Sequence, residues 1–435
     1  MSAAPRGRDA EPSLRRPRAG KTAGEAAIAD SAALAVGPVR SYVRGPGRAV
    51  LVLSLNQILS WGMLIYSPVL ILPHLAADRG WSLAFCMAGF SLGMITSGLV
   101  APRLGGLIDT RGGHLVMGPG ALSAALGFAG LTLAFHPVLY FACWLLIGVA
   151  MSTTLYDAAF TTLGRIFGAN ARRQIIFVTF AGGFASTVAW PATHILLDNI
   201  GWRGTYLMFA AICACVIAPL NGFALPRIVA PSSLPHAHGG ASAPEPPATP
   251  ASGRLFVLIA AGFALHAFML SGVTSNLLGM LERGGIDAAT VVFIGALFGP
   301  AQVIARMFDF LLANRTHPLW IARGAVALMA LAFAVLSLAG ISVPAAAAFS
   351  IAFGAANGVI TIARGALPLQ IFGAVGYGRV LGRIARPASF VQASAPFVVA
   401  LALQHLSART VLALGMVCAL ASFTCFMAVR RPQPR

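Results

Sequence analysis

Apolar residues occur along this chain in twelve long blocks, separated by short segments rich in arginine, glycine and proline. The blocks cover roughly residues 49–73, 83–101, 114–135, 138–163, 175–197, 204–225, 255–280, 289–312, 320–340, 344–370, 388–406 and 410–429. Each is about 19 to 27 residues long, and about 20 apolar residues in a helix cross the hydrocarbon core of a bilayer. Backbone groups in hydrocarbon must satisfy one another, so each block is predicted to be a membrane-spanning helix. Arg379, Arg383 and Arg386 precede the eleventh block, so its predicted span starts late, at 388.

Composition agrees with this pattern. Hydrophobic residues make up 58% of the 435 and charged residues only 10%, against about 25% charged in a soluble domain. The fold class expected is an all-α polytopic membrane protein of twelve transmembrane helices. Residues 1–45 lack an apolar core and read as a disordered arm; 226–253, rich in Pro, Ala and Ser, reads as a linker. The domains expected are therefore a six-helix bundle over 46–225, a second over 254–429, and a short tail at 430–435.

A formal net charge of +18 invites a nucleic-acid reading, but the distribution of the charges argues against it. Twelve loop arginines fall on the side that carries both tails, against Arg79, Arg203, Arg283 and Arg409 on the other. This asymmetry is the positive-inside pattern, and it predicts cytoplasmic termini in a bacterial inner membrane. The partner expected from this pattern is the lipid bilayer, and no nucleic acid; a monomer is expected.

Cofactors are not expected. The six cysteines all lie in apolar blocks without metal-site spacing, and no phosphate-binding loop is present. His236 and His238 read as solvated linker residues.

The residue that stands out is Arg306, inside Ala301-Gln-Val-Ile-Ala-Arg306-Met-Phe-Asp309. A guanidinium stays charged, and placing one in hydrocarbon costs several kcal/mol, roughly. Such a residue faces a protein interior or a water-filled cavity and takes a charged partner or a substrate. Asp309, three residues on, shares its helix face and is a local partner; Gln302, four residues before, lies on the same stripe. A second constellation is Asp157 with Arg364. Each sits shortly before an Ile-Phe-Gly-Ala sequence, at Ile166 and Ile371, so the two are placed alike in the two halves. They can pair across the halves, or locally, Asp157 with Arg165 and Arg364 with Asp309.

The segment Gly105-Gly-Leu-Ile-Asp109-Thr-Arg111-Gly112-Gly113 resembles the loop motif between spans two and three of the major facilitator superfamily. The resemblance implies two six-helix pseudo-repeats, and a gate in which Asp109 caps a helix of the other half. Within that superfamily the chain is similar to the monocarboxylate-transporter branch. Val303-Ile-Ala-Arg306, followed by Leu312-Ala-Asn314, resembles its span-eight pattern, and Arg306 then matches the arginine that contacts the substrate carboxylate. Gln302 stands in the position of that pattern's aspartate. Gly62-Met-Leu-Ile-Tyr66-Ser-Pro68-Val69 resembles the branch's span-one pattern with Val69 in place of its lysine. Gly80-Trp81-Ser82 and Gly201-Trp202-Arg203 are further shared features. The spans that line the cavity in the resembled fold carry Tyr66, Asn276 and Asn357, which join Arg306 and Gln302 as candidate substrate-binding residues.

The function expected is secondary active transport of a small organic anion, a monocarboxylate or related carboxylate. An efflux antiporter for a drug or metalloid is the alternative, and a polytopic membrane enzyme or sensor a second one. The family's two ionisable coupling positions are missing. Anion exchange, or proton coupling through Asp157, is what remains.

Overall fold

The computed structural model describes residues 45–227, 253–312 and 316–429. The expected arm and tail, nearly all of the linker with His236 and His238, and Asn314 lie outside the described residues.

Every described element is helical. Span one consists of α1 (Gly47–Trp61), a π-turn over Gly62–Tyr66 and α2 (Pro68–Arg79). Spans two and three are α3 (Leu83–Arg111) and α4 (Gly113–Thr132). Span four is broken into α5 (Pro137–Thr154) and α6 (Tyr156–Phe167). Next come α7 (Arg172–Gly182) and α8 (Ala185–Ile212), and within α8 Gly201 departs from helical geometry at φ 66°. Helix α9 (Arg254–Arg283) is span seven. Helices α10 (Ala288–Ala296) and α11 (Phe298–Leu312) form span eight. Spans nine to twelve are α12 (Pro318–Ala339), α13 (Val343–Phe372), α14 (Tyr377–His405) and α15 (Ala408–Ala428).

Ten helical runs among the described residues are long and apolar enough to cross a membrane. One of them, Pro137–Ala224, is 88 residues long. A single pass needs only about 20 residues. Breaks at Gly168–Ala171 and Gly201 divide that run into three passes, which brings the passes to twelve.

Helix α14 corrects the expected start of the eleventh span, since it begins at Tyr377, eleven residues earlier than an apolar window places it. Val380, Leu381, Ile384, Ala385 and Ala388 are buried along one stripe, while Arg379, Arg383 and Arg386 are carried on the same turns. An amphipathic turn has low mean hydropathy yet buries a full face.

One buried apolar cluster draws only on residues from Ile259 onward, and a second only on Met63–Ala218. A third joins the two sets of spans, bringing Phe160 and Ile175 together with Ile362, Leu369 and Tyr377. The joining contacts gather on the arginine-rich face. There α3 and α14 approach so closely that a Cβ on Gly105 would meet the Gly378 carbonyl oxygen at 2.1 Å. Only glycine allows backbones this near.

Candidate functional site

Span four is where local sequence first shapes the site. Leu155 takes an extended conformation (φ −82°, ψ −169°) and interrupts the helix. The interruption leaves the Thr154 carbonyl available, and Asn56 Nδ2 (2.6 Å) and Gln57 Nε2 (2.9 Å) both donate to it. Buried backbone acceptors need such partners. The break starts α6 afresh with Tyr156 and Asp157 in its first turn. In span one the Ser67 hydroxyl donates to the Gly62 carbonyl (2.9 Å) and meets Thr193 at 2.7 Å, which ties the π-turn ending at Tyr66 to α8.

Arg306 on α11 is 3% exposed. Its Nη1 donates to the Thr179 carbonyl of α7 (2.7 Å), its Nε to the Gly358 carbonyl of α13 (3.2 Å) and its Nη2 to Gln302 Oε1 (3.1 Å). Three of the five guanidinium donors are thus held by neutral carbonyl oxygens. The Tyr156 hydroxyl accepts a further hydrogen bond from the guanidinium and donates to the same Thr179 carbonyl at 3.4 Å, which leaves one terminal N–H over. Gly183 makes the space: a Cβ there would stand 2.6 Å from Arg306 Nη1.

No carboxylate among the described residues is within ion-pair distance of Arg306. The local Arg306–Asp309 pair permitted by their spacing does not form. Asp309, 5% exposed, is instead bonded by Arg172 Nη2 at 3.4 Å, and Arg172 also donates to the Thr316 carbonyl. Helix α7 carries Arg172 across to the end of α11, and this side chain reaches the carboxylate from the other half.

Asp157 and Arg364 pair across the halves at 2.8 Å, not locally. Asp157 uses one oxygen for this; its Oδ1 is buried without a hydrogen-bond partner. Asp109 accepts from the Gly378 backbone N–H (2.8 Å) and the Arg379 N–H (3.0 Å), so it caps the N-terminus of α14. A carboxylate at a helix N-terminus satisfies donors the helix itself cannot, and it meets the positive end of the dipole. Gly112 turns the chain after α3 at φ 92°, a left-handed conformation suited to glycine, and Arg111 is exposed at the end of that helix.

Two expected substrate residues are held elsewhere. Asn276 donates to the Gly272 and Pro396 carbonyls at 3.0 and 3.4 Å and lines an apolar cavity of about 120 Å³ that does not include Arg306. Asn357 Oδ1 meets His266 Nε2 at 3.1 Å. Tyr66 is within electrostatic reach of both Arg306 and Tyr156.

Sequence reasoning missed Thr179 and Gly183, because a backbone carbonyl and an absent side chain leave no chemical signature in a sequence. It also passed over Trp61, Tyr156 and Trp190 as site residues. The ring centroids are 4.9 Å apart for Trp61–Tyr156 and 6.3 Å for both Trp61–Tyr66 and Tyr66–Trp190. On the opposite face the glycine-tryptophan motifs do converge. Arg203 pairs with Asp78 at 2.8 Å, and the Arg79 and Arg203 guanidinium groups lie over Trp202.

The same fold occurs in solved transporters. The human organic anion transporter TETRAN superposes with a TM-score of 0.66 at 17% identity, over 88% of this chain and 99% of that one. The E. coli fucose:proton symporter gives 0.67 at 14% identity, over 88% and 99%. In sequence the chain is 29% identical to human monocarboxylate transporter 11 over 242 residues, 51% of this chain and 46% of that protein. It therefore spans about half the length of that relative. It is 30% identical to an uncharacterized 38 kDa protein in the 23S RNA operon of Thermoproteus tenax, over 71% of this chain and 76% of that one. The profile of the Major Facilitator Superfamily matches residues 50–384. With twelve helical passes among the described residues, a helix-capping aspartate after the second and a family profile that matches most of its length, the chain belongs to the Major Facilitator Superfamily and is an integral membrane protein.

Proposed function

We propose that the chain is a secondary active transporter for a small organic anion, a monocarboxylate or related carboxylate, bound by Arg306. The observation that carries this reading is a buried guanidinium whose bonded acceptors are all neutral. A desolvated charge without a counter-charge is costly, and a substrate carboxylate supplies the missing one. The remaining terminal N–H, with the one now given to the neutral Tyr156 hydroxyl, suits the two oxygens of a carboxylate. The name of the human relative, monocarboxylate transporter 11, agrees with this choice of substrate.

Movement is by alternating access between the bundles 46–225 and 254–429. The Asp109 cap of α14, Arg172–Asp309 and Asp157–Arg364 are among the contacts that hold the arginine-rich face closed and must part for it to open. That face is cytoplasmic, in a bacterial inner membrane, and the working unit is a monomer. Coupling is by exchange of one anion for another, or by a proton carried on Asp157, whose Oδ1 is unengaged.

Arg306→Lys tests the assignment. Lysine keeps the charge but loses the planar fork. Counterflow of labelled acetate or lactate in proteoliposomes should fall by about tenfold or more, at an unchanged amount of inserted protein, since one charge-assisted bond is worth about 1.5–3 kcal/mol. Normal uptake by the mutant removes Arg306 from the substrate site. Transport of only cations or neutral drugs by the wild type would replace this reading with the efflux antiporter.

A further inference from the structure

The charges at the site restrict its substrate further, and a chain of aromatic rings restricts it again. This inference rests on the assignment of Arg306 as the anion-binding residue. Arg364, the nearby second cation, is engaged by Asp157, and Asp309 by Arg172. Val69 and Gln302 add no charge. Among the described residues the two ion pairs cancel in charge, so the site is left with one net positive charge, that of Arg306. A second carboxylate on the substrate would leave the filled site net negative, and an ammonium would restore the uncompensated positive charge. The body of the substrate must be neutral.

That body meets aromatic rings. Tyr156 stands beside the guanidinium, Trp61 packs on Tyr156 at 4.9 Å, Tyr66 lies 6.3 Å from Trp61, and Trp190 meets Tyr66 edge-on at 6.3 Å and 87°. The first three rings are part-exposed and Trp190, at the end of the row, is 54% exposed. The Trp61 indole N–H is already given to Gln57 Oε1 at 3.0 Å, so its ring offers apolar and π surface only. All four rings come from the first six spans, and the guanidinium comes from the eighth. A ligand touching both bridges the halves.

We propose that the substrate class is the aromatic monocarboxylates: a single carboxylate on a short arm, attached to one uncharged planar ring. Its carboxylate takes terminal N–H groups of Arg306, and its ring packs edge-to-face or offset against Trp61 and Tyr66. Aromatic pairs favour these geometries at centroid separations of about 4.5–7 Å.

The test uses purified full-length protein and titration calorimetry, with the unliganded thermal midpoint as a check on folding. Phenylacetate should bind roughly 10- to 100-fold tighter than acetate, from two aromatic contacts of the usual strength. It should also bind several-fold tighter than cyclohexylacetate, which keeps the ring's bulk without its π face. Phenylsuccinate, phenylalanine and phenethylamine should bind at least tenfold more weakly than phenylacetate. Trp61→Leu should bring the phenylacetate-to-acetate ratio below about threefold. Trp190→Leu, at the exposed end of the row, tests the same ratio if Trp61→Leu lowers the midpoint. Equal affinity for phenylacetate, cyclohexylacetate and acetate overturns the aromatic proposal and leaves Arg306 as the anion site. A preference for phenylsuccinate or phenylalanine overturns the single-charge argument. If no monocarboxylate binds the wild type, the Arg306 assignment fails as well.

Discussion

Gly183→Ala is a sharp test of the site because it touches Arg306 without removing it. Gly183 has φ −64° and ψ −24°, which alanine adopts without strain. The added Cβ would stand 2.6 Å from Arg306 Nη1, 3.0 Å from the Phe180 carbonyl and 3.5 Å from Val303 Cγ2. Non-bonded heavy atoms settle at about 3.5 Å or beyond, so the end of the flexible arginine must move by about 1 Å. Nη1 is the atom that donates to Thr179, and its displacement would break one bond from the guanidinium to the bound anion. Losing that one charge-assisted bond to the anion costs about 1.5–3 kcal/mol, or roughly 10- to 150-fold in affinity. The assay is acetate or phenylacetate binding by calorimetry, together with counterflow in proteoliposomes. Gly299→Ala is the control, since a Cβ there meets nothing within 4 Å. A double-mutant cycle with Arg306→Gln completes the experiment: in that background Gly183→Ala should change binding by less than about twofold. If Gly183→Ala binds anions as the wild type does while keeping its thermal midpoint, the guanidinium does not hold the substrate.

Asp109→Ala removes both acceptors at the start of α14. A lost helix cap is worth about 0.5–2 kcal/mol, so the closed arginine-rich face should lose population by roughly 2- to 30-fold. Spin-label distances between the ends of α3 and α14 report it, and an unchanged distribution refutes the capping role. Asp157→Asn separates the two coupling schemes. If wild-type uptake acidifies the vesicle lumen and the mutant loses that signal while retaining exchange, Asp157 carries the proton; anion exchange instead shows no proton movement and depends on internal counter-anion throughout.

Much of this molecule was legible in the sequence alone. Apolar run length determined the helical, membrane-spanning class, because a backbone in hydrocarbon has no other way to satisfy its hydrogen bonds. Arg306 stood out for a related reason: an ion in an apolar span is too costly to be incidental. The boundaries of α14 were not legible, since its arginines lower the mean hydropathy of turns that bury Val380, Leu381 and Ile384. Partner choice was not legible either. Spacing offered Asp309 to Arg306, yet the fold gave it to Arg172, 137 residues away in sequence, and set Arg306 on the carbonyl of Thr179, 127 residues away. Helix periodicity reports which residues share a face, but not what the neighbouring helix brings to it. The glycine that makes room for the guanidinium, and the aromatic row that leads out from it, exist only once spans one, four, five and eight are packed together.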